Sequence, residues 1–379
     1  MKNPEQQALT KNGWEQRSEA EAVSRLAELG VKNVETAFAI LEEKDINNKP
    51  LENVEIFWAK FGAPKEEGFG DLLSVEGKVY FPKTANGELV LFTPGFPGGV
   101  AGRFEQRYAR AFTEAGYAFA TVRHNGASLT NGEMSEQIMN CPKRLEIAKQ
   151  AGEHHIGGTR EQGYSPSEMI NEPINLLASL QGKFKRVHLM GQSMGVASSY
   201  NVATKFSDNA EITGKLGNIV GISGYVGTTE ETPDGIWNAL KQNFNTLAEY
   251  EKGYMERVDL NAPRDSKWYA TEMKKVAAQN EKMRVPSHVG NILVFSPEDP
   301  LIVGPDKSKE QYALNYGPKS QRKLIIEDLS KPADDKKAHS MLWIAPENLV
   351  RAVQAKVSER GPHYLKVGGV RGSGLVQKG

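Results

Sequence analysis

The strongest constraint on this chain is a repeated alternation of short apolar runs with stretches of helical apolar spacing. The runs are Glu88–Thr93 (ELVLFT), Tyr117–Val122, Arg186–Met190, Asn218–Ser223, Asn291–Ser296 and Arg322–Glu327. Between and after them lie amphipathic segments at Ala101–Ala115, Ser167–Leu180, Met194–Phe206 and Pro346–Glu359. Strands that alternate with helices must pair in parallel, because each helix carries the chain back to the same sheet edge. The fold class expected is therefore α/β, a mostly parallel twisted sheet with helices on both faces. Leu72–Val75 and Lys78–Phe81 read as a further strand pair ahead of it.

The ends and two interior stretches depart from this rhythm. Ser18-Glu19-Ala20-Glu21 is a capping box for a helix that stops at Gly30. Val34, Ala37, Phe38, Ile40 and Leu41 have helical spacing behind Asn33 as a cap, so residues 1–66 read as a helical extension. Residues 124–165 separate a strand from its helix by far more than the usual 2–6 residues. Residues 225–286 fall between two strands and look helical, at Ile236–Tyr254 and Trp268–Met283. The tail His363–Gly379 carries five glycines and no apolar period, which predicts an unstructured end.

Charge and cysteine usage narrow the partners. Lys+Arg and Asp+Glu are both 47, a net charge of +0, which argues against a bulk electrostatic hold on nucleic acid or an anionic membrane. No apolar run approaches the ~20 residues of a membrane span. No apolar leader segment is visible at the start, so a cytoplasmic protein is expected. The single cysteine, Cys141, cannot form an internal disulfide or a cysteine cluster. His154-His155 has no acidic or cysteine partner at ligand spacing, so neither metal nor cofactor is expected.

The chemistry concentrates in Gly191-Gln192-Ser193-Met194-Gly195, a G-x-S-x-G. Alone it is weak, with roughly 0.2 chance matches in a chain of this size. Its context is specific: it follows an apolar strand and opens a helix. A sharp strand-to-helix turn needs small residues two before and two after the serine, and it lifts the serine oxygen to the top of the sheet. The plainer alternative is a Gly-rich helix start with a serine N-cap.

A nucleophilic serine needs a base, and the base needs an orienting acid. Downstream, the strand at Asn291–Ser296 ends in Pro297-Glu298-Asp299-Pro300, and Asp299 is the chosen acid with Glu298 as alternative. Of seven histidines, His188 lies within a strand and reads as a packed core residue. His124, His154 and His155 precede the serine, His288 precedes the acid's strand, and His363 is in the tail. His339, in a loop before the last helix, is the candidate base. Two donors are needed for the oxyanion: the backbone N–H of Met194, and that of Phe96, where Gly95 lets the backbone turn inward and Pro97 cannot donate.

Five ordered segments resemble the α/β-hydrolase superfamily, in its lid-bearing esterase, lipase and epoxide-hydrolase-like branch. Thr93-Pro94-Gly95-Phe96-Pro97-Gly98 is similar to H-G-x-P-G, with Pro94 in place of the histidine. Arg123-His124-Asn125-Gly126-Ala127-Ser128 resembles R-G-x-G-x-S, with His124 where glycine is usual. Gly191–Gly195 resembles the elbow, Glu298-Asp299-Pro300-Leu301-Ile302 the acid loop, and His339 through Asn348 the closing histidine segment. The resemblance implies a triad of Ser193, Asp299 and His339 with Phe96 and Met194 at the oxyanion. Serine at the elbow argues against the dehalogenases and epoxide hydrolases, which use aspartate there.

On this reading residues 67–224 and 287–362 form the hydrolase core, with 124–165 as a long insertion, 225–286 as a helical cap and 363–379 as a flexible tail. The expected activity is hydrolysis of a small carboxylic ester or thioester through an acyl-enzyme. An acyltransferase, an amidase, a C–C bond hydrolase or a non-catalytic binding protein of this fold are the alternatives. Substrate and oligomeric state are left open.

Overall fold

The computed structural model describes residues 19–40, 43, 49–63, 74–95, 102–124, 127–128, 155–156, 165–224, 266–296, 299, 322–328, 345–358 and 363–367. The elements in chain order are α1 (Glu19–Glu28), β1 (Val34–Ile40), β2 (Val54–Phe61), β3 (Val75–Pro82), β4 (Glu88–Thr93), α2 (Gly102–Glu114) and β5 (Ala118–Arg123). A two-stranded pair, β6 (Ala127–Ser128) and β7 (His155–Ile156), comes next, then α3 (Pro166–Met169), α4 (Glu172–Leu180) and β8 (Arg186–Gln192). After these come α5 (Gly195–Lys205), α6 (Ala210–Lys215), β9 (Leu216–Ile222), α7 (Ser266–Asn280), β10 (Asn291–Phe295), β11 (Lys323–Asp328), α8 (Pro346–Gln354) and β12 (His363–Val367).

Among the described residues, ten strands form one sheet in the order β1-β2-β3-β5-β4-β8-β9-β10-β11-β12. The ladders from β5 through β12 are parallel, and those joining β1, β2, β3 and β5 are antiparallel. The parallel strands read as continuous apolar runs because both their faces are covered. Leu89, Leu91, Leu189, Ile219 and Leu293 pack with α1, α4, α5 and α7, through Leu26, Leu176, Tyr200 and Val276. Val90, Phe92, Met190, Val220 and Val294 face the other way, against Phe112 of α2 and Leu349 and Val353 of α8. Phe112 stacks on Phe119 at 5.7 Å and meets Tyr117 edge-on at 5.9 Å.

The chain leaves β4 outward to β5 and then returns inward to β8, so the order reverses between β4 and β8. At such a switch point the two connections diverge and open a crevice at the C-terminal strand ends. The mostly parallel sheet with flanking helices expected from the alternation is therefore the architecture observed.

Several elements differ from expectation. Val34–Ile40 is a strand rather than a helix, paired antiparallel with β2 in register Phe38↔Trp58, and Phe38 stacks on Trp58 at 5.1 Å. Its apolar spacing fits both periods, and pairing with Val54–Phe61 decided the outcome. Asn33 takes φ 56° as a turn residue instead of capping a helix. The N-terminal segment is thus no separate helical extension: α1 does form, but it packs its Ala22 and Leu26 into the common core. Of the strand pair expected at 72–81, the described residues form one strand, β3 (Val75–Pro82). Ser266–Asn280, expected within the cap, lies against α3 and α5, with Met273 and Val276 in the core beside Tyr200. Glu272 ties it there, accepting from the hydroxyls of Ser165 and Ser167. Ile236–Tyr254 is outside the described residues. His363–Val367, expected to be unstructured, adds a parallel edge strand to β11. The tail's glycines hid a short HYLKV segment that can complete a ladder.

At the opposite, N-terminal end of the sheet, His188 behaves as the packed residue expected. Its Nδ1 accepts from the backbone N–H of Asn218 at 3.0 Å, and its Nε2–H donates to Glu88 at 3.1 Å. Burial holds His188 below its usual range, and the bond from His188 holds Glu88 below the carboxylate range. The unfolded chain therefore takes up protons before the folded one does, and stability must fall as pH drops below about 6.5 and again below about 4.5. His188→Gln should flatten the upper of these two slopes in denaturant titrations between pH 5 and 7, estimated from the ordinary histidine range.

Candidate active site

The switch point is where the G-x-S-x-G lands. β8 runs through Gln192, the chain turns at Ser193 and Met194, and α5 starts at Gly195. Ser193 has φ 51°, a left-handed conformation that a serine adopts only under constraint. Part of the constraint is a bond from its backbone N–H to Ile222 O of β9, 2.9 Å. The rest is steric. A Cβ on Gly191 would sit 2.2 Å from Gly195 O, and one on Gly195 would sit 2.0 Å from Thr93 O. Both are impossible contacts with backbone, which is the physical reason the motif requires glycine at those positions.

The loop after β4 closes against this turn. A Cβ on Gly95 would lie 2.8 Å from Ser193 Cβ and 3.4 Å from its Oγ. The structure thus brings Gly95, Gly191, Gln192, Ser193, Met194 and Gly195 together. Met194 caps α5, with its side chain in the core and its N–H in the first helical turn beside Ser193. There the helix dipole and free amide groups favour negative charge.

Asp299 is fully buried just beyond the C-terminal end of β10, its N–H donating to Ser296 O at 3.1 Å. Ser193 and Asp299 follow β8 and β10, which flank β9. Phe96, Glu298 and His339 lie outside the described residues. Among the described residues, no group of three or more His, Cys, Asp or Glu could hold a metal, and no helix is long and apolar enough to cross a membrane.

The strand order and the strained serine at the switch point decide the fold. The chain has the α/β-hydrolase fold. No family model matches the sequence, and no curated protein matches it. Solved structures do show likeness. A protein from Agrobacterium vitis S4 described as a putative hydrolase is 14% identical, with 79% of this chain and 98% of that one covered, at TM-score 0.47. An esterase from Exiguobacterium antarcticum is 12% identical, covering 83% and 99%, at TM-score 0.41. The alpha/beta hydrolase domain-containing protein 10 from mouse is 14% identical, covering 75% and 93%, at TM-score 0.40. At such scores the assignment rests on this chain's own topology.

Two further features of the site emerge from the structure. Ser223, at the end of β9 between the serine and acid strands, also has positive φ, 44°, and is fully buried. His124, passed over for its place in chain order, is buried directly behind the Pro94-Gly95 turn.

The strain at Ser193 is measurable. Ser193→Gly should release about 1–3 kcal/mol of backbone strain, against about 0.5–1 kcal/mol of added unfolded-chain entropy. We expect a higher denaturant midpoint, whereas Gly195→Ala should lower it through an overpacking cost of about 1–3 kcal/mol or more.

Proposed function

We propose that this protein is a serine hydrolase that cleaves carboxylic esters or thioesters through an acyl-enzyme on Ser193. The observation that carries the reading is the strained Ser193, held at the sheet's switch point with the Gly95 backbone against its side chain. A serine held in this turn has its oxygen lifted clear of the sheet beside the first amides of a helix, which supports a nucleophilic role.

In this reading His339 takes the Ser193 proton as the hydroxyl attacks the carbonyl carbon. Asp299, fixed at the end of β10, orients the imidazole and stabilises its positive form. The N–H groups of Met194 and Phe96 receive the charge that develops on the carbonyl oxygen. His339 then protonates the leaving alcohol or thiol, and water, activated by the same imidazole, releases the acid. Residues 124–165 and 225–265 follow the C-terminal ends of β5 and β9, and we assign to them the walls of the substrate pocket. A pocket so enclosed selects by shape and apolar contact, in keeping with a chain of zero net charge.

Ser193→Ala should abolish labelling by a fluorophosphonate probe and lower turnover of p-nitrophenyl esters by several orders of magnitude. Turnover unchanged in that variant would refute the proposal. Activity of the unaltered protein should rise through about pH 6–7.5 as the base loses its proton.

A further inference from the structure

We infer that His124 and Glu172 form a positioning pair that sets the oxyanion loop, an inference that rests on the catalytic reading above. His124 follows β5 and is fully buried, and Glu172 opens α4 and is 4% exposed. The imidazole bridges two acceptors. Its Nδ1 lies 2.6 Å from Glu172 Oε2, and its Nε2 lies 3.2 Å from the carbonyl oxygen of Pro94. A carbonyl can only accept, so Nε2 carries a hydrogen and donates it to Pro94. A proton must also lie between Nδ1 and the carboxylate. Imidazolium beside carboxylate, and neutral imidazole beside carboxylic acid, both satisfy this and leave the pair with no net charge.

What the pair holds is the peptide between Pro94 and Gly95. Proline locks its own φ, and the carbonyl is the remaining freedom of that plane. A Cβ on Gly195 would lie 2.7 Å from this same Pro94 oxygen, and one on Gly95 would lie 2.8 Å from Ser193 Cβ. The plane is therefore clamped between the elbow on one side and His124 on the other. Rotating it would redirect the Gly95 N–H and change the angle at which the chain enters Phe96, the second oxyanion donor of the catalytic reading. The same contact accounts for both departures from the resembled motifs. The chain lacks a histidine at position 94 and has one at position 124, and the two positions are in contact through Pro94 O and His124 Nε2.

The test uses the full chain and one p-nitrophenyl ester, with fluorophosphonate labelling as a second readout. His124→Ala should lower kcat by about 10–100-fold with KM changed less than threefold, and slow labelling in parallel, since both reactions load the oxyanion donors. Glu172→Leu, which removes the carboxylate from Nδ1, should lower kcat at least tenfold. Glu172→Gln keeps an amide donor to Nδ1, so Nε2–H still reaches Pro94, and should recover most of that loss. A purely structural staple would instead raise KM and lower thermal stability together, with labelling normal in whatever fraction folds. Folded His124→Ala with unaltered kcat and labelling overturns this inference alone. If His124→Ala does not fold, equal loss in both Glu172 variants overturns it and recovery by glutamine supports it. Absence of labelling in the unaltered protein overturns the catalytic reading and this inference with it.

Discussion

Everything at the site depends on the approach of two backbones, the turn after β4 and the turn after β8. The ladder from Glu88↔Arg186 to Thr93↔Gly191 sets these strands side by side in parallel, so both turns arrive at one edge together. They then have to pass at backbone contact distance. Only glycine at 95, 191 and 195 allows that passage, since a side-chain carbon at any of them would overlap a neighbouring atom. The positive φ of Ser193 is the local consequence, and the packing of the surrounding sheet is what sustains it. Two-sided burial of the parallel strands supplies the stability from which that strain is drawn.

The same geometry explains where polar groups are tolerated inside. His188 and Glu88 satisfy one another and the Asn218 amide at the N-terminal end of the sheet. Glu43 and Lys78 are a fully buried pair, with Gln106 donating to the same carboxylate oxygen. Glu272 gathers two serine hydroxyls to dock α7. In each, an apolar replacement would leave a buried polar partner unmatched. The His124–Glu172 pair differs from these in its third partner, a carbonyl in direct contact with the elbow.

How legible this was in the sequence varied with the separation of the interacting parts. The elbow was readable because its strand, turn and helix are contiguous, so Gly191–Gly195 carries its own context. The place of Asp299 just past β10 was readable because that strand and the residues beyond it are also contiguous. Val34–Ile40 was misread because VETAFAI satisfies helical and extended spacing equally, and its partner Val54–Phe61 lies beyond local view. Ser266–Asn280 was assigned to a cap because its amphipathicity shows only that it buries one face. Met273 and Val276 bury theirs on α5. The His124 contact spans 30 residues to Pro94 and 48 to Glu172, and neither spacing is a motif.

By itself the sequence determined the alternating parallel architecture, the serine turn and its required glycines, because these follow from local periodicity and steric exclusion within a few residues. Tertiary structure decided which strands extend the sheet beyond that core, which face α7 covers, and which histidine lies behind the Pro94-Gly95 turn. Those outcomes turn on pairing and burial between segments far apart in the chain. Only the folded packing makes one partner better than another.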